Sequence, residues 1–123
     1  MAVIPYQLVQ KPSPENPIGW QVTWPNLTFA TNDTGAPLDL EGFADRSLQV
    51  EGVFGAGGNV EFQGSNDGVN FRALHDPYSN TLEFNSARLT HMTEIPMLMR
   101  PAVTSGDGTT SLTVTLFIRR TNR

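Results

Sequence analysis

The sequence predicts an all-β protein: a single-domain β-sandwich of jelly-roll type with an extended, proline-rich N-terminal arm. Three observations predict it. From residue 18 onward apolar side chains recur with a period of two rather than 3.6. Turn signals separate these runs at intervals of about 8–12 residues, as in sandwiches and small barrels. No stretch reads as a convincing helix, and only Ser86–Thr93 offers a short candidate. A chain of 123 residues is one domain's worth, divided here into an arm, residues 1–17, and a sandwich, residues 18–123.

The arm carries Pro5, Pro12, Pro14 and Pro17, which fix φ and remove amide donors, so helix is disfavoured and extension is natural. At about 3.3 Å per residue it would reach up to ~55 Å. Its apolar residues Val3, Ile4, Tyr6, Leu8 and Val9 predict that it lies on something. The alternative is a first strand packed on its own domain.

Strands follow in order. Trp20, Val22 and Trp24 alternate with polar residues, then Leu27 with Phe29, Leu48 with Val50, and Val60 with Phe62. The last run is Leu112, Val114, Leu116 and Ile118. Each reads as a half-buried strand. Asn66-Asp67-Gly68 predicts a hairpin between Val60–Ser65 and Val69–His75, because Asp-Gly supplies positive φ cheaply. A second hairpin is expected from Met97–Thr104 to Thr110–Arg119. Pro96 and Pro101 bracket the first of these strands and predict an edge or bulged position. Jelly-roll connections are the preferred topology.

Composition narrows the function. Cysteine is absent, which excludes disulfides, thiolate metal sites and cysteine nucleophiles. The net charge of −4 and pI near 4.9 lack the basic surplus of a duplex binder, so no direct nucleic-acid partner is expected. Only Arg119, Arg120 and Arg123 cluster, as a tail that either solvates or pairs with an acidic surface. No apolar run approaches the ~20 residues of a membrane span, and the N-terminus reads as no signal peptide.

No chemistry emerges from the motifs. His75 and His91 have no Gly-x-Ser-x-Gly elbow to serve, and Asp76-Pro77 reads as a turn. Two histidines make a poor zinc set, and the loops at Asp67 and Asp107 lack calcium-ligand spacing. Gly55-Ala56-Gly57-Gly58 lacks the Lys-Ser/Thr of a phosphate loop and reads as a hairpin connection or a loop where another chain approaches closely. Trp20, Trp24, Phe54, Phe62 and Phe71 read first as core and second as a sugar platform. Met92, Met97 and Met99 fill either core gaps or an adaptable interface. Neither enzymatic activity nor a cofactor or metal is expected.

The central segment Val60-Glu61-Phe62-Gln63-Gly64-Ser65-Asn66-Asp67-Gly68-Val69-Asn70-Phe71 is followed by Leu74-His75-Asp76 and Asn80-Thr81-Leu82-Glu83-Phe84. Then come Met97–Thr104 and Gly106–Val114. Together these resemble the capsid decoration (cement) proteins of tailed bacteriophages, over roughly residues 45–119. The resemblance implies a virion structural protein on the outer capsid surface that clamps neighbouring capsomers. Its partners would be the major capsid protein and further copies of itself, as a dimer or trimer. On that reading Val3, Ile4, Tyr6 and Leu8 of the arm contact the shell or a neighbouring subunit. The competing reading is a carbohydrate-binding module of a phage fibre or tail, which requires Trp20 or Trp24 to be exposed.

Overall fold

A computed structural model describes residues 2–13, 16–39, 45–92 and 94–119. Among these the chain forms eleven strands and no helix. They are β1 (Val3–Ile4), β2 (Gln7–Ser13), β3 (Asn16–Thr28), β4 (Thr34–Gly35), β5 (Asp45–Val53) and β6 (Asn59–Ser65), then β7 (Arg72–Ala73), β8 (Glu83–Phe84), β9 (Arg88–His91), β10 (Leu98–Ser105) and β11 (Ser111–Arg119). The arginine tail beyond Arg119, Pro14 and residues 40–44 lie outside the described residues.

Two sheets pack face to face. One runs β1-β4-β10-β6-β7, with β8 also on β6; the other runs β2-β3-β11-β5-β9. From β3 to β6, and again from β8 to β11, each successive strand joins the opposite sheet. The order β3-β11-β5-β9 facing β4-β10-β6-β7 is the double Greek-key winding of a jelly roll.

Alternation in the sequence builds this directly. On β11, Leu112, Val114, Leu116 and Ile118 are buried, while the residues between them face outward. Leu48 and Val50 of β5 and Val60 and Phe62 of β6 do the same. The core centres on Trp24 and Phe62, whose rings meet edge-to-face at 5.8 Å. Burial of each such side chain contributes about 1.5–3 kcal/mol.

The sequence showed two runs at 20–24 and 27–29, and they form one strand. Two residues, Pro25 and Asn26, oppose the single Thr113, since Leu112 pairs with Leu27 and Val114 with Trp24. Asn26 adopts φ 55°. This bulge shifts the inward parity from Val22 and Trp24 to Leu27, and it accommodates a proline without ending the strand.

Two expectations need correction. The second hairpin does not form: β10 pairs with β4 and β6, whereas β11 pairs with β3 and β5 in the other sheet. The 105–110 loop crosses between layers, because each strand buries one face against the other sheet. The β10 strand is therefore central and not an edge, while the bulged alternative holds in its register shift against β6 between Val103 and Ser105. Its proline is tolerated because the Met99 and Val103 N–H groups donate toward the β4 side, to Leu38 and Asp33. Pro101 has the same parity and falls in the gap between those bonds, where Ala36 donates instead to Ile4. The short helix candidate Ser86–Thr93 contains the strand β9, paired with β5, in line with the all-β reading.

The Gly55–Gly58 segment links the two sheets rather than making a hairpin, and its close neighbour is this chain's own 105–110 loop. Asp107 accepts the Ala56 N–H at 2.8 Å, and Thr110 Oγ1 donates to the Phe54 carbonyl at 2.7 Å. Gly55 has φ 70°, and a β-carbon there would stand 2.2 Å from Asp107 Oδ1.

Candidate functional site

The N-terminal segment seals one open side of the sandwich. β1 pairs in parallel with β4 at the edge of one sheet, and β2 pairs with β3 at the edge of the other. Of the four residues expected to make contacts, Ile4 and Tyr6 pack inward on the core, with Tyr6 edge-on to Trp24 at 5.9 Å. Val3 and Leu8 face solvent, at 61% and 43% exposure, beside the exposed Val9. The described part of the segment is thus a pair of edge strands on its own domain, the alternative carried by the sequence reading. Its exposed apolar residues stand where neither β1 nor β2 has a second strand partner among the described residues.

A second surface is the outer face of the β2-β3-β11-β5-β9 sheet. Cross-strand register places Val9, Gln21, Phe117, Ser47 and His91 in one row. The next row is Gln7, Thr23, Thr115, Gln49 and Leu89. At one end an open cleft of about 420 Å³ lies among Asp45, Ser47, His91, Phe117 and Arg119. Arg119 bonds Asp45 there at 3.2 Å. Arg46 lines the same cleft but is buried and donates to Met99 Sδ, and burial lowers its pKa.

A third feature lies at the far edge of the other sheet. Both β7 and β8 run antiparallel to β6, interrupted by a tongue at residues 75–81. The Leu74 N–H donates to Phe62 O, and the Phe62 N–H donates to Leu82 O, so the chain leaves β6 and returns at the same residue. Asp76 organises the tip by accepting the Tyr78 and Asn80 N–H groups, which leaves Tyr78 85% exposed. His75 Nδ1 meets Glu94 at 2.5 Å, and Glu94 also accepts the His75 N–H. Their cleft, about 430 Å³, is lined by Ser65, Asn70 and Arg72. Ser65 Oγ donates to Asp67 and accepts the Asp67 and Gly68 N–H groups, so it is committed to its turn.

The loops that resemble calcium sites are held by their own backbones. Asp67 accepts the Asn70 and Val69 N–H groups, and these bonds hold its carboxyl far below the usual range. Thr109 and the Ala56 N–H lower Asp107 to about 2. No cluster of three or more histidine and carboxylate residues suits a metal among the described residues. No helix is long and apolar enough to cross a membrane among them.

The aromatic residues separate as follows. Trp24 is fully buried and donates Nε1–H to Ala36 O at 3.0 Å; Phe62 is buried beside it. Trp20 and Phe54 are half-buried against the core, and Phe71 lies under the Arg100 guanidinium at 3.8 Å. The sugar platform that Trp24 was to supply is thereby removed. Met92 and Met99 are core, whereas Met97 is 45% exposed.

No family model and no curated protein matches the chain in sequence. The fold has a clear counterpart in a solved structure. It is similar to the SPBc2 prophage-derived protein YomS, with TM-score 0.60 and 13% identity, over 82% of this chain and 94% of that one. A weaker overlap, TM-score 0.39 at 14% identity, is with peruvianin-I, a cysteine peptidase from Thevetia peruviana latex; it covers 85% of this chain and 50% of that one. The turn read at Asp76-Pro77 is the tip of the tongue, whereas sequence reasoning missed the His75–Glu94 pair. No local signal links positions 19 residues apart across a loop.

Proposed function

We propose that this chain is a phage virion structural protein that binds the outer surface of an icosahedral capsid and cements neighbouring capsomers as a symmetric oligomer. The observation that carries the reading is the N-terminal seal, which leaves Val3, Leu8 and Val9 exposed along two sheet edges that have no second strand partner among the described residues, while Ile4 and Tyr6 anchor it. Such an edge offers unpaired backbone groups and apolar side chains to a partner strand or surface. The fold shared with a prophage-derived protein, and the resemblance of residues 45–119 to decoration proteins, agree with it. Many copies on a fixed lattice then gain avidity without strong single contacts.

The test is co-sedimentation of purified protein with capsids of the encoding phage that lack it. The wild type should pellet to a saturating, fixed stoichiometry, and the double variant Val3→Asp, Leu8→Asp should lose binding while staying folded. A wild type that stays in the supernatant, or a double variant that pellets equally well, would overturn the reading.

A further inference from the structure

We infer that the outer face of the β2-β3-β11-β5-β9 sheet is the surface through which two copies of this chain pair about a two-fold axis. The inference rests on the symmetric-oligomer part of the reading above and not on the capsid part.

Charge is the first argument. The chain carries eight Lys and Arg and twelve Asp and Glu. Yet the middle of this face presents Gln21, Thr23, Ser47, Gln49 and Thr115, all uncharged and outward by register and burial. The described charged side chains of the face stand off that centre: Glu51 one row away, opposite Thr113, and the Asp45–Arg119 pair two rows away on the other side. A two-fold axis sets a patch against itself, so any net charge near the axis opposes its own copy. A neutral centre flanked by charged residues is the pattern that a self-pairing face requires.

Area is the second. The strands β2, β3, β11, β5 and β9, of seven, thirteen, nine, nine and four residues, at ~4.8 Å spacing and ~3.3 Å rise give a footprint of about 670 Å². Accessible surface exceeds a flat footprint, which brings the face close to the ~800 Å² per partner of a standard stable interface.

The third argument is a pre-set aromatic residue. A β-carbon on Gly19 would lie 2.8 Å from Phe117 Cζ, so the Phe117 ring rests on bare backbone at that position. Phe117 keeps 36% exposure, with Val9 exposed in the same row and Leu89 exposed in the next. Aromatic side chains are enriched at interface centres, and one already fixed in place loses little freedom on binding.

The experiment is sedimentation velocity and light scattering on the full chain across the micromolar range. Thr115 is the probe because it is outward and central, paired with Thr23 on one side and Gln49 on the other. The wild type should show twice 13.5 kDa. Thr115→Arg should weaken pairing at least ~100-fold, since it sets like charges together near the axis. Circular dichroism should show it folded, and Thr23→Lys, whose row partners Thr115 and Gln7 are uncharged, serves if it is not. Tyr78→Arg, on the tongue of the other sheet, should stay dimeric. A monomeric or trimeric wild type overturns the inference, as does a dimer that survives Thr115→Arg or one that Tyr78→Arg also dissolves. Capsid binding plays no part in this readout, so its failure is separable from failure of the capsid reading.

Discussion

Gly35 packs directly against the indole of Trp24: a β-carbon at position 35 would stand 2.4 Å from Trp24 Cδ1 and 2.5 Å from Pro101 Cδ. Both neighbours are fixed, Trp24 by its bond to Ala36 O and by Phe62, and Pro101 by its place in the central strand β10. Gly35→Ala must therefore move the largest core side chain. It should destabilise the protein by about 2–3 kcal/mol, read as a lower midpoint in urea denaturation with unchanged slope. A midpoint equal to wild type would show that the two rings yield freely.

Acid should unfold the protein through its turn aspartates. Hydrogen bonds from Asn70 lower Asp67, those from Asn80 lower Asp76, and those from Thr109 lower Asp107 to about 2. Burial alone would raise Asp33, but bonds from Thr31 and Thr28 outweigh it and the net shift is downward. A carboxyl depressed in the folded state stabilises fully above its unfolded value and loses that contribution as pH falls through the folded one. Thermal melts should thus hold a plateau above about pH 5 and fall between about pH 4 and pH 2. Asp107→Asn should melt lower at neutral pH and fall less steeply in acid. An equal acid slope in that variant would contradict the assignment.

The two tryptophans should report different surroundings. In Trp20→Phe the remaining indole, Trp24, is fully buried. Its fluorescence should be blue-shifted, resist acrylamide and ignore added saccharides. Strong quenching would place Trp24 in solvent and revive the sugar-platform reading.

Substitutions along the N-terminal seal should split by direction of side chain. Tyr6→Ala removes the edge-on contact with Trp24 and should cost about 1–3 kcal/mol. Val3→Ser, at an exposed position, should stay within about 0.5 kcal/mol of wild type. A detached arm would make both substitutions neutral, and denaturation midpoints distinguish the two cases.

Much of this fold was legible because its strands bury one face only. The period-two runs at Leu48–Val50, Val60–Phe62 and Leu112–Ile118 became β5, β6 and β11 with the expected side inward. What the residues do not encode locally is which sheet a strand joins. Ser105-Gly106-Asp107-Gly108 announces a reversal equally well for a hairpin and for a crossing between layers, and the crossing occurred. Pro101 looked like an edge marker because nothing nearby shows that its missing N–H falls in a gap of the ladder. The apolar residues Val3, Ile4, Tyr6 and Leu8 read as one contact set, yet the seal divides them into anchors and exposed edge groups. That division depends on where Trp24 lies in space, 18 positions after Tyr6 in the chain.

The central claim, a protein that coats and cements a capsid, is tested most directly by its copy number in purified virions, measured by quantitative mass spectrometry against the major capsid protein. The account predicts hundreds of copies, in a fixed ratio to the shell protein. A few copies per particle, or none, would contradict it.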